Sequence, residues 1–156
     1  MQLDFLTIDS DITKMVPTVS DLAYIAGFFD GEGYVAISKH DKTKKWNQLG
    51  FTLIVVIGQV NPFPLIFIRQ FFGGHLRREN AKGNKRAIWM WTISSKTAYD
   101  FLQEIYPYLK VKKDECNLAF QFQNTIGNSF AKLTDETIEL RTKMYEEMKK
   151  LKTREY

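Results

Sequence analysis

The chain of 156 residues holds a single cysteine, Cys116, and only two histidines, His40 and His75. One thiol excludes a disulfide framework, and these three side chains cannot furnish a Cys/His zinc site. Such scarcity fits a reducing compartment. Long apolar runs are also missing. None approaches the roughly 20 residues needed to cross a bilayer, and the longest, around Phe51 to Ile57, has the length of a strand. The first residues hold no apolar signal core, and Asp4, Asp9 and Asp11 argue against an Arg-rich transit peptide. The expectation is a soluble intracellular protein without a membrane partner. Its length suits one domain, placed at residues 18–156 behind a leader of residues 1–17.

Charge is unevenly spread. Residues 1–33 carry one basic and six acidic side chains, whereas residues 34–113 carry fourteen basic and four acidic ones. Residues 114–131 have two acids and no base, and the formal total is only +4. The positive field therefore falls on the segments that read as a sheet. A basic sheet face suits phosphate contacts, although a block of this kind also suits plain solvated surface.

What the chain does have is a well-marked short helix from Asp21 to Gly33. Thr18 is its N-cap and Asp21 stands in the capping-box position, while Gly31 and Gly33 suit the exit. Ala23, Gly27 and Gly31 recur every four residues, so one face is nearly bare backbone. That face could admit a second helix closely, or serve ordinary packing within one domain. Glu32 sits where the face ends, on the unfavourable side of the helix dipole by up to ~1 kcal/mol. Something positive is expected nearby. If two such helices met across a two-fold axis, two Glu32 side chains would come together and call for protons or divalent cations.

After Gly33 the pattern changes to period two. Residues 34–40 read as a strand, Asp41 to Trp46 as a lysine-rich ribbon tip, and Leu49 to Val60 as a second strand. Asn61-Pro62 starts a helix whose face is expected at Phe63, Ile66, Phe67 and Phe71, and Gly73-Gly74 stops it. His75 to Glu79 and Lys85 to Ile93 form another hairpin, and Ser94 or Ser95 caps a helix that runs to Pro107. Trp89 and Trp91 share a face, the core being their expected side. Two further helices follow, striped by Leu118, Phe122 and Ile126, then by Leu140, Met144, Met148 and Leu151. The order is αββαββα, an α+β arrangement with one antiparallel sheet covered by helices on one side. Its open side could lie in a major groove. Candidate DNA-binding residues on the wet faces and the tip are Ser38, His40, Lys42, Lys44, Thr52, Arg77, Glu79 and Arg86.

The run Ile25-Ala26-Gly27-Phe28-Phe29-Asp30-Gly31-Glu32-Gly33, with flanking Tyr24 and Tyr34, resembles the signature of the LAGLIDADG homing endonucleases, both acidic positions being kept. The resemblance implies a saddle-shaped sheet resting on double-stranded DNA, with signature helices meeting at the centre. It implies Glu32 as ligand of Mg2+ or Mn2+, helped by the Gly31 carbonyl, with Gln59 and Lys112 completing the catalytic set. Lys112 is placed by its spacing from Pro107 in the segment Pro107 to Lys113. Phe63 stands where some members have an arginine, a role left empty or taken by Arg69. No second copy of the signature is present, so the resemblance implies a homodimer through Ala23, Gly27, Asp30 and Gly31. Its target would be long and pseudo-palindromic, cut with a stagger across the minor groove. An intron-borne origin is the more plausible one, in an organelle (chloroplast or mitochondrion) or a prokaryotic cytoplasm. Two other readings keep the fold: a maturase acting on intron RNA, and a DNA-binding regulator without cleavage.

Overall fold

A computed structural model describes residues 15–42, 47–80, 86–127 and 131–154. Helix α1 spans Val19–Glu32, and its start is the expected capping box. The Thr18 amide donates to Asp21 Oδ2 at 2.8 Å, and the Asp21 amide donates back to Thr18 Oγ1 at 3.2 Å. The Thr18 hydroxyl, also donating to that carboxylate, holds the Asp21 carboxyl below its ordinary range. Ile25, Ala26 and Phe29 form the buried face of α1.

Strands β1 (Gly33–His40) and β2 (Gly50–Gln59) pair antiparallel, with Gly33 opposite Ile57 and His40 opposite Gly50. Helix α2 (Phe63–Phe72) leads to β3 (His75–Glu79) and β4 (Ile88–Ser94). The strand order is β1-β2-β4-β3, so the two hairpins join through β2 and β4. Helix α3 (Ser95–Ile105) runs into a 3-10 turn at Tyr106–Tyr108. Helices α4 (Lys113–Asn124) and α5 (Asp135–Lys152) complete the described chain.

Alternation divides the sheet into two faces. Val35, Ile37, Phe51, Leu53, Val55, Ile57, Trp91 and Ile93 point to the helices and are buried. Trp91 is fully buried, packs edge-on to Phe101 and donates its indole N–H to the Gly73 carbonyl at 2.8 Å. Trp89 lies on the same face, half-buried against the core. Both tryptophans therefore belong to the packing side.

One expected stripe is rotated, and another fails at a single position. In α2 the buried residues are Leu65, Ile68, Phe71 and Phe72, while Phe63 is 66% exposed. That helix is apolar nearly all round, so periodicity does not choose its face; the contact of Phe72 with Phe101 does. In α5, Met148 is buried and Met144 and Leu151 pack against the core as expected, but Leu140 is exposed and Arg141 is buried beside it. The Arg141 guanidinium reaches the end of α4, donating to the Thr125 hydroxyl at 3.0 Å and its carbonyl at 2.6 Å. Terminal helix carbonyls need donors, and a cation there also suits the dipole. Burial holds this guanidinium below its ordinary pKa. Ile126, expected in the α4 stripe, lies beyond the helix end and is exposed.

Candidate active site and nucleic-acid face

Three segments meet at the C-terminal end of α1. The first is the helix end itself. Ala23, Gly27 and Gly31 are exposed, and a Cβ added at Gly27 or Gly31 would have nothing within 4 Å. The bare stripe thus faces away from the fold instead of packing inside it. Glu32, at its end, is exposed. Its carboxylate has no hydrogen-bond or ion-pair partner among the described residues.

The second segment is the irregular link between the 3-10 turn and α4. Asp30 accepts three main-chain hydrogen bonds from it: the Lys110 amide at 2.7 Å, Val111 at 3.2 Å and Lys112 at 3.1 Å. The Lys112 ammonium donates to the Asp30 carbonyl at 2.6 Å. This is the positive group expected beside the helix C-terminus. The sequence reading places Asp30 at a dimer interface; within its own chain the carboxylate is engaged by the amides of Lys110, Val111 and Lys112. Nothing local could reveal that, because its partners stand some 80 residues away.

The third segment is the end of β2. Gln59 lies two residues past the Gly33–Ile57 pair, so antiparallel register puts it level with the last turn of α1, on the face that α1 covers. Its Oε1 accepts the Val60 amide at 2.8 Å. The fold therefore brings Glu32, Gly31, Lys112 and Gln59 to one end of the sheet. Arg69 is not part of this group: its Nε donates to the Gly74 carbonyl at 3.2 Å, closing the turn after α2.

Below this cluster is Cys116, fully buried in the first turn of α4. Burial, and then the carboxylates of Glu115 and Asp30, push its thiol up to about 12. It stays a neutral thiol, which is no metal ligand. Two contacts that no local pattern in the sequence signals brace the same end from the last turn of α5 and the residues just after it. Arg154 pairs with Asp114 at 2.6 Å, and Lys152 lies over the Tyr34 ring at 3.5 Å from its centroid.

Most of the expected DNA-binding residues share the uncovered face of the sheet. Ser38, His40, Thr52, Arg77 and Glu79 alternate onto it by register. His40 Nε2 lies 3.0 Å from Thr52 Oγ1, and Arg77 pairs with Glu79 at 2.6 Å. Between these polar ends Ile54, Val56 and Met90 form a half-buried apolar strip. Lys42 and Arg86 are exposed just beyond the strands, and Lys44 lies outside the described residues.

Among the described residues no three His, Cys, Asp or Glu side chains cluster closely enough to hold a metal ion. A hard divalent cation wants about six oxygens. Glu32 with nearby carbonyls fits as a partial oxygen set, the remainder having to come from outside this chain: a phosphate, water or a second copy. No helix among the described residues is long and apolar enough to cross a membrane.

The sequence profile described as LAGLIDADG endonuclease matches residues 25–114. Comparison with curated protein sequences gives no match. Among solved structures, the homing endonuclease I-CvuI, in complex with its target in the presence of calcium, superposes with a TM-score of 0.73 at 17% identity, over 86% of this chain and 83% of that one. The archaeal intron-encoded homing endonuclease I-Vdi141I, complexed with DNA, gives a TM-score of 0.71 at 19% identity, over 86% of each chain. I-SmaMI, bound to uncleaved DNA with calcium, gives 0.64 at 18% identity, over 83% of this chain but only 44% of that one. At such identities the structural likeness is one of fold.

Proposed function

Since this chain belongs to the LAGLIDADG endonuclease family, we propose that it is a site-specific nuclease hydrolysing phosphodiesters of double-stranded DNA, working as a homodimer with Mg2+ or Mn2+. The observation that carries the reading is the exposed stripe of Ala23, Gly27 and Gly31 ending on Glu32, which has no partner among the described residues. A helix face without side chains leaves little apolar area to protect, yet lets another backbone come very close. A two-fold partner on this stripe would bring a second Glu32 to the first, completing an oxygen set that one chain lacks. Coverage supports the same view, since the chain corresponds to most of I-CvuI but to under half of I-SmaMI.

In this reading the Glu32 carboxylate and Gly31 carbonyl hold the cation. When bound, such a cation neutralises charge on the scissile phosphate and favours ionisation of water. The Lys112 ammonium stabilises the negative charge that develops as the phosphate is attacked. Gln59, level with Glu32, hydrogen-bonds and orients the attacking water. The uncovered face, with Ser38, His40, Thr52, Arg77 and Glu79, lies in the major groove, and Lys42 and Arg86 reach phosphates at its margins. A two-fold protein requires a pseudo-palindromic target.

The test is Glu32→Gln, which keeps size and removes the charge. Cleavage in Mg2+ of a duplex selected from a randomised library is expected to disappear, while affinity for that duplex in Ca2+ stays within about threefold of the unaltered chain. A variant that still cuts refutes the assignment.

A further inference from the structure

The second acid of the signature is two residues from the first, and helix geometry decides what it can do. Side chains two apart on an α-helix diverge by about 200°, so Asp30 and Glu32 point to opposite sides and cannot share a cation within one chain. Glu32 is exposed, while Asp30 is half-buried and turned toward the link that precedes α4. Resting on the nuclease reading, we infer that Asp30 is a positioning residue, and that its work is to hold Lys112.

The geometry gives Lys112 two anchors on one residue. Its main-chain N–H donates to the Asp30 carboxylate at 3.1 Å, and its ammonium donates to the Asp30 carbonyl at 2.6 Å. The amides of Lys110 and Val111 converge on the same carboxylate. Three donors on two oxygens fix both the position and the orientation of the link. A carboxylate serves here better than a neutral oxygen, since charge-assisted hydrogen bonds are roughly twice as strong. The link has no ladder or helix of its own to order it. Lys110 and Lys112, with Lys113 at the start of α4, also crowd like charges there, which the negative charge of Asp30 offsets. Without the clamp the lysine would keep its charge but lose its fixed distance from Glu32.

The position depends on the side chain's length and charge, so Asp30→Asn is the informative change. On a duplex selected by binding to the full-length chain in Ca2+, single-turnover cleavage in Mg2+ is expected to fall roughly 10- to 100-fold. Affinity for the same duplex should move less than about threefold, separating the chemical step from binding. In a Lys112→Met chain, the same Asp30→Asn change should alter the residual rate less than about twofold, because its effect passes through a side chain already gone. Equal losses in both backgrounds overturn the inference. Hydrogen exchange on the protein alone tests the clamp independently of cleavage: the amides of Lys110 to Lys112 should exchange at least about tenfold faster in Asp30→Asn, with those of the sheet core unchanged. Unchanged exchange at the link overturns the clamp whatever happens to cleavage. An unaltered chain that cuts no selected duplex instead refutes the nuclease reading, and hydrogen exchange then decides for or against the clamp by itself.

Discussion

At Cys116 a residue that the sequence marks only as unpaired acquires a definite role in stability. Its thiol is pushed up to about 12 by burial, with Glu115 and Asp30 adding to the effect, against an ordinary value of 9.0. The folded state therefore prefers the protonated form. Its contribution is whole below pH 9.0, where the unfolded thiol is also neutral, and is lost as pH rises from there toward about 12. We expect the urea midpoint to fall between about pH 8 and about pH 10 by more in the unaltered chain than in Cys116→Ala. Parallel curves would show that another group governs the alkaline limb. Asp30 and Glu32 show the opposite case, two carboxylates of the same signature whose uses diverge because the helix turns them apart. The sequence names both as site residues, but only the link from Lys110 to Lys112 reveals which one is already engaged.

At the scale of the element, α1 joins two kinds of glycine in one short stretch. Gly27 and Gly31 face open space, and their lack of a side chain has no purpose within this chain. Gly33 is different. A Cβ there would land in the ring of Phe29, which is fully buried and packs edge-on to Phe101 at 5.4 Å. Its φ of −79° is open to any residue, so close approach and not backbone conformation demands the glycine. Gly33→Ala is expected to cost roughly 1–3 kcal/mol by overpacking, read from urea unfolding; a loss below about 0.5 kcal/mol would mean that Phe29 moves aside freely. The capping box and the alternation of β1 and β2 were legible because they are local rules. The buried face of α2 and the burial of Arg141 in α5 were not. In α2 nearly every side is apolar, and in α5 the winning position is Arg141, whose reason for burial is a carbonyl on another helix.

For the molecule as a whole, the proposed reading requires that the stripe on α1 be covered by its own copy. Gly27→Leu tests this, since a Cβ at that position has nothing of its own chain within 4 Å. Far-UV circular dichroism should be unchanged, while sedimentation in the presence of the selected duplex should show loss of the dimer and cleavage should fall at least about 100-fold. A Gly27→Leu chain that still dimerises and cuts would place the interface elsewhere. The uncovered face of the sheet follows the same logic at this scale. Single residues such as Ser38 and Thr52 could be nominated from alternation, but their being on one surface with Arg77 and Glu79 depends on the join between β2 and β4.

The sequence by itself determined the αββαββα order, the start of α1, the small-residue stripe along it and the position of Glu32 at its end, because capping, periodicity and residue size act over a few neighbours. The tertiary structure decided which side of α2 turned inward, that the stripe on α1 stays open, that both tryptophans pack with the core, and that Asp30 holds the lysine segment. Those outcomes depend on which distant backbone arrives beside a given side chain. A carboxylate is satisfied by any well-placed donors, and only the folded chain delivers the amides of Lys110, Val111 and Lys112 to this one.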